Sequence, residues 1–156
     1  VNEVAKAIIG TEFNLGIIPH GSGNGLARHN HIPLNTGRAI RMLNNADVKR
    51  IDTCRLNNHP FINVSGVGFD AHIGKLFAES KGRGFSTYFN TTINEFRNYK
   101  AQHYVIKADG KKLDKDAFLI SFANSSQYGN NAFIAPHASM TDGLIDICIM
   151  KPFPAF

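Results

Sequence analysis

The spacing of apolar positions changes near residue 48. Before it the period is helical. Val1, Val4, Ala5 and Ile8 share one face of a helix predicted over residues 1–9, which Gly10 ends. Residues 15–18, Leu-Gly-Ile-Ile, read as a short buried strand that stops at Pro19. Leu26 and Ala27 open a helical turn, and Thr36 caps a predicted helix over 37–45 with Ala39, Ile40 and Leu43 facing inward. Helix, strand and helix in that order predict the end of a doubly wound α/β layer.

Beyond residue 48 the period shortens to two. Residues 49–56 and 61–65 read as strands joined by a turn at 57–60, Asn-Asn-His-Pro. Residues 102–108 and 115–123 form a second pair around Asp109-Gly110, and 132–135 and 144–150 follow as further strands. A helix is predicted over 72–80. Between the hairpins Phe85, Tyr88, Phe89, Ile93, Phe96 and Tyr99 recur at helical spacing. That stripe reads as core. The predicted fold class is α/β followed by mostly antiparallel β. Residues 1–47 make the α/β part, and 48–156 the mostly antiparallel part.

The stretch richest in candidate chemistry follows the first predicted strand. His20-Gly21-Ser22-Gly23-Asn24-Gly25 links that strand to a helix, the usual setting of a phosphate loop. Glycines let backbone N–H groups approach an anion, and Ser22 and Asn24 add small donors. The loop has no Walker-type lysine, and its glycine spacing departs from the dinucleotide fingerprint. A plain tight turn fits the same residues.

Composition narrows the partners only slightly. The chain has 156 residues, 43% of them hydrophobic, with 12 phenylalanines and no tryptophan, so a real core is affordable. The formal charge of +5 favours anionic partners without choosing among them. The basic residues are scattered, which argues against a nucleic-acid face. Cys54 and Cys148 read as reduced cysteines of a cytosolic protein. There is no apolar run long enough to span a bilayer. The seven histidines make no metal set, since His29 and His31 have no acidic partner nearby. Both ends read as cut from a longer protein.

Four stretches together resemble the diacylglycerol kinase catalytic family, which includes bacterial diacylglycerol kinases, sphingosine kinases and ceramide kinases. They are Val1-Asn2-Glu3-Val4, the loop IIPHGSGNGLAR over 17–28, FINVSGVGFDA over 61–71 and APHASMTDGLID over 135–146. The resemblance covers nearly the whole chain, and implies that residues 1–47 close a nucleotide-binding domain, that 48–156 make an incomplete β-sandwich domain, and that part of the Phe85–Tyr99 stripe would line an acyl-chain channel. It implies an ATP- and Mg²⁺-dependent lipid kinase, peripheral to the cytoplasmic face of a membrane, with no transmembrane segment and no nucleic-acid partner. A homodimer is left open, as is the lipid itself: diacylglycerol, a sphingoid base or a relative.

The resemblance also implies roles for particular residues. Gly21, Ser22, Gly23 and Asn24 would hold ATP, with Ser22 contacting a phosphate and Asn24 bracing the loop. Gly25 stands where bacterial members often have aspartate, which tilts the substrate towards sphingoid lipids. Lys81 and Arg83 would pair with ATP phosphates, against the plainer reading of a solvated loop. Asp70 would sit near the lipid headgroup, against or alongside an N-cap role. The Asp142-Gly143 turn would bind Mg²⁺ through the Asp142 carboxylate and the carbonyls of Ser139 and Leu144. No catalytic residue is expected within the chain, because the family's G-G-D-G-T and D-G-E motifs would fall on either side of it. The piece alone should therefore be inactive. The rival readings are an NAD-kinase-like enzyme and a nonenzymatic nucleotide- or lipid-binding module.

Overall fold

The computed structural model of the chain describes residues 1–79, 92–96 and 98–153. Contacts divide it into two units, each built from two stretches of chain. The first is Val1–Ser65 with Phe122–Asp146, and the second is Gly66–Ser121 with Ile147–Phe156.

The first unit opens with α1 (Asn2–Ile8), α2 (Gly25–His29) and α3 (Thr36–Leu43). Its core is Ala5, Leu26, Ile62 and Met140, with Leu15, Ile17 and Ile51 packed against it. The apolar run 15–18 thus delivers side chains to the core, as its pattern predicts, but it forms no strand. A strand needs a hydrogen-bonded neighbour, and none of the described strands pairs with it. The cap of α3 moves by one residue. Asn35 is the N-cap, its side chain accepting from the Arg38 N–H at 3.0 Å, and Thr36 is the first helical residue. Of the three residues expected to face inward, only Ala39 is buried, while Ile40 and Leu43 are exposed.

β1 (Cys54–Leu56) and β2 (His59–Phe61) form a hairpin, antiparallel with Cys54 opposite Phe61. Its turn is Asn57-Asn58, and Asn57 takes φ 52°, a left-handed conformation asparagine tolerates. The expected strand over 61–65 is divided between β2 and β3 (Val64–Gly68). β7 (Gln127–Gly129) and β8 (Ala132–Phe133) make another short antiparallel pair.

The second unit holds α4 (Phe69–Glu79) and the longest hairpin, β4 (Gln102–Ala108) with β5 (Lys111–Ala117). Ala108 pairs with Lys111 across Asp109-Gly110, whose positive φ values of 49° and 73° suit a two-residue hairpin turn. The strand expected over 115–123 is interrupted at Phe118, where β5 ends and β6 (Leu119–Ala123) begins. The Phe118 carbonyl accepts from Phe69 N–H at 2.9 Å, and its N–H donates to the Met150 carbonyl at 2.8 Å. Gly68 sits there at φ 95°, and a Cβ on it would lie 2.6 Å from that same carbonyl. All five residues of β6 are buried, and β3, β6 and β9 (Asp146–Met150) form a sheet in the order β3-β6-β9. The core of this unit is aromatic. The Phe69 and Phe118 rings lie 4.7 Å apart, with Phe96 and Tyr99 meeting Phe69 edge-on at 5.8 and 5.4 Å. Phe96 and Tyr99 therefore serve the core, while Phe85, Tyr88 and Phe89 lie outside the described residues.

Candidate functional site: a side-chain-braced glycine loop and an acidic turn

The loop between the apolar run and α2 is closed by a side chain. Asn24 Oδ1 accepts from the Gly21 N–H at 3.0 Å, and its Nδ2 donates to the Gly21 carbonyl at 2.7 Å. This reciprocal pair fixes the loop across three residues, with Asn24 itself at φ 52°. Asn24 is thus committed to the loop's shape. Ser22 at its tip is exposed. The loop backs onto the β7–β8 segment, where Asn130 N–H donates to the Gly23 carbonyl at 3.0 Å and Arg28 Nε to the same oxygen at 3.1 Å. Gly25 has a steric cause. A Cβ there would lie 2.5 Å from the Tyr128 carbonyl oxygen and 2.8 Å from that of Gln127. This close approach accounts for the small residue at position 25 from packing alone.

A second cleft wall lies at the start of α2. Asn24, Gly25 and Leu26 line a depression of about 490 Å³ with Lys6, His59 and Asn63.

The turn at 139–144 belongs to the same unit. Asp142 Oδ1 accepts from the Leu144 N–H at 3.0 Å, the local bond expected of an aspartate before a glycine turn. Gly143, at φ 73°, is held from outside the turn, its N–H donating to Asp52 Oδ2 at 2.8 Å. Asp52 is tied again by its main chain, donating to the Met140 carbonyl at 2.7 Å and accepting from Asn124 Nδ2 at 3.0 Å. Asn124 is fully buried and also donates to the Ile62 carbonyl at 3.1 Å. The donors around the turn, the Asp142 carboxylate with the Ser139 and Leu144 carbonyls, are all hard oxygens. That donor chemistry fits Mg²⁺, which takes few carboxylates and keeps several waters. No cluster of three or more His, Cys, Asp or Glu suited to a metal exists among the described residues.

Asp70 lies in the second unit, in the first turn of α4. Its Oδ1 accepts from Ala71 N–H at 2.8 Å and its Oδ2 from Ser121 Oγ at 3.3 Å. Burial, and then hydrogen bonding to Tyr99, pushes the nearby Tyr104 hydroxyl up to about 12, and Asp70 adds to the effect. Lys81 and Arg83 fall outside the described residues.

Comparison with known proteins now bears on these features. Residues 1–56 match the diacylglycerol kinase catalytic domain, and residues 63–155 match the YegS C-terminal NAD kinase beta sandwich-like domain. The chain belongs to the YegS-like diacylglycerol kinase family. A protein from Yersinia enterocolitica named probable lipid kinase YegS-like is 31% identical over 96% of this chain and 53% of its own length. The diacylglycerol kinase of Mycobacterium tuberculosis is 28% identical over 97% of the chain and 52% of its own. A crystal structure of a diacylglycerol kinase from Bacillus anthracis superposes on 88% of the chain and 45% of its own, with a TM-score of 0.67 at 25% identity. The chain spans about half the length of these relatives.

The sequence does not single out Asp52, Asn124 or the pairing of His29 with Ser126. The nearest sequence signal is Asn63 in the FINVSG stretch. Its main-chain carbonyl accepts from Asn124 N–H at 2.9 Å, and its side chain accepts from Ser125 Oγ.

Proposed function

We propose that the chain is the central portion of an ATP-dependent lipid kinase that phosphorylates a lipid hydroxyl at a membrane surface. The observation that carries this reading is the glycine loop locked by Asn24, in a chain that matches kinase family models along almost its whole length. ATP supplies the phosphoryl group. The Gly21–Gly23 backbone and the Ser22 hydroxyl orient its phosphates by hydrogen bonding, and Lys81 and Arg83 pair with their charge. Asp70 accepts a hydrogen bond from the lipid headgroup. Ser139, Asp142 and Leu144 hold Mg²⁺, which neutralises the acidic turn. The names of the relatives favour diacylglycerol over a sphingoid base. The structural cause found for Gly25 removes the argument that tilted the choice towards sphingoid lipids. No helix among the described residues is long and apolar enough to cross a membrane.

The test uses the full-length protein that contains this chain, with radiolabelled ATP and a lipid panel. Label should enter diacylglycerol or a related lipid. Ser22→Ala should raise KM for ATP while leaving KM for the lipid unchanged, by the loss of a charge-assisted bond of about 1.5–3 kcal/mol. Label entering NAD and no lipid would replace this reading by the NAD-kinase one. Label entering neither would leave a binding module.

A further inference from the structure

A second cleft, of about 590 Å³, is lined by Arg28, His29, Leu34, Ser126, Gln127 and Phe133, none of which lines the depression described above. Its polar wall is made of donors. His29 Nδ1 accepts from the Ser126 main-chain N–H at 3.1 Å and lies 2.9 Å from Ser126 Oγ. A backbone N–H can only donate, so Nδ1 carries no proton and the ring N–H is on Nε2. Burial, and then His31 beside it, lowers the His29 pKa and keeps the ring neutral. Gln127 is 4% exposed and lines the same cleft. Its Oε1 accepts from the Asn131 N–H at 3.2 Å, which fixes the amide with Nε2 as the remaining group. Among the described residues that Nε2 has no hydrogen-bond partner. Among the described residues only Asn124 Oδ1 is both fully buried and without a partner, so Gln127 Nε2 keeps contact with solvent and is open to a ligand. Arg28 spends one N–H each on Gly23, Asn131 and Asn130, and its guanidinium has two more.

The Leu26, Ala27 and Arg28 carbonyls at the end of α2 accept from Asn30, Ile32 and His31. No carboxylate lines the cleft among the described residues. The opposite wall is apolar: Ile32, Leu34, Phe133 and Pro136, with Leu34 43% and Phe133 54% exposed.

We propose that this cleft binds a phosphomonoester, its oxygens taken by Arg28, His29 and Gln127. The site is separate from the glycine loop, since Gly21, Ser22 and Gly23 do not line it. The group comes as free phosphate or as the head of an amphiphile whose chain lies on Leu34 and Phe133. The proposal does not rest on the kinase reading, because binding is measured without turnover.

The experiment follows the His29 Nε2–H signal in ¹⁵N-histidine-labelled full-length protein. The probes are inorganic phosphate, dihexanoyl phosphatidate and ATP, added separately. Phosphate and phosphatidate should both shift the signal, and phosphatidate should saturate it at lower concentration because of the apolar wall. A response to phosphate alone assigns the site to the free ion, and one to phosphatidate alone assigns it to the amphiphile. Gln127→Glu keeps an oxygen for Asn131 and replaces the donor with a charge, so affinity should fall about tenfold or more. Gln127→Met, which removes the donor without adding charge, gives the same reading should the glutamate variant fail to fold. No shift with phosphate or phosphatidate at millimolar concentration overturns the proposal. So does a shift by ATP alone, or unchanged affinity in a folded Gln127 variant.

Discussion

At position 25 the backbone of residues 127 and 128 occupies the space a side chain needs. Alanine there would meet three main-chain atoms within 2.8 Å, none of which can rotate away. Gly25→Ala should therefore destabilise the protein by about 1–3 kcal/mol, read as a lower urea midpoint at unchanged slope. An unchanged midpoint would mean that this backbone contact relaxes freely. The buried thiol of Cys54 is another residue whose surroundings decide its chemistry. Burial, and then the Asp52 charge, push it up to about 11, so it stays protonated and unreactive at neutral pH. Maleimide labelling of the native protein should leave Cys54 unmodified.

Among the elements, the 139–144 turn and the β4–β5 hairpin each make a measurable claim. Asp142→Ala should abolish any rise in melting temperature that Mg²⁺ gives over chelator, since a metal bound only to the folded state stabilises by mass action. Asp52→Ala should lower the melting temperature in both buffers, because Gly143 loses its partner whether or not a metal is bound. Equal behaviour of the two variants would reduce Asp142 to a turn residue. On the hairpin, His103 lies between two carboxylates, Nδ1 2.8 Å from Asp116 and Nε2 2.9 Å from Asp114. Both ring nitrogens can donate only when the imidazole is charged, and the Asp116 bond is the main cause of its raised pKa. The charged form is thus favoured in the folded hairpin. Its contribution is full below 6.5 and is lost as pH rises through the folded pKa. A histidine NMR titration should place the His103 midpoint above 6.5, and Asp116→Asn should bring it down.

Across the whole molecule the two shifted histidines pull in opposite directions. His29 resists protonation, so its contribution is present above 6.5 and is lost as pH falls from there to the lowered folded pKa. Mild acid should therefore lower hydrogen-exchange protection, relative to the intrinsic rate at each pH, around α2 and β7 in the first unit, while it raises protection in the β4–β5 hairpin of the second. Parallel changes in both would contradict the tautomer assigned to His29. The difference also shows what the sequence could disclose. The Asn24 brace, the place of Asp70 at the start of α4 and the Asp142-Gly143 turn were legible as local structure because their residues are contiguous. So was the Asp109-Gly110 hairpin, whose turn residues are adjacent. Asp52, Asn124 and the His29–Ser126 pair were not, because their side-chain partners lie 62 to 97 residues away. Residues 15–18 show the converse: an apolar pattern announces burial, but whether it becomes a strand depends on a neighbour that periodicity does not reveal.

The two-stretch composition of each unit sets an order in time. The first unit requires residues up to Asp146, and the second requires Ile147 onward. Synthesis from the N-terminus therefore yields neither unit complete before residue 146 has left the ribosome. Until then Leu26 and Ile62 wait for Met140, and Phe69 for Phe118, as exposed apolar surface open to chaperones.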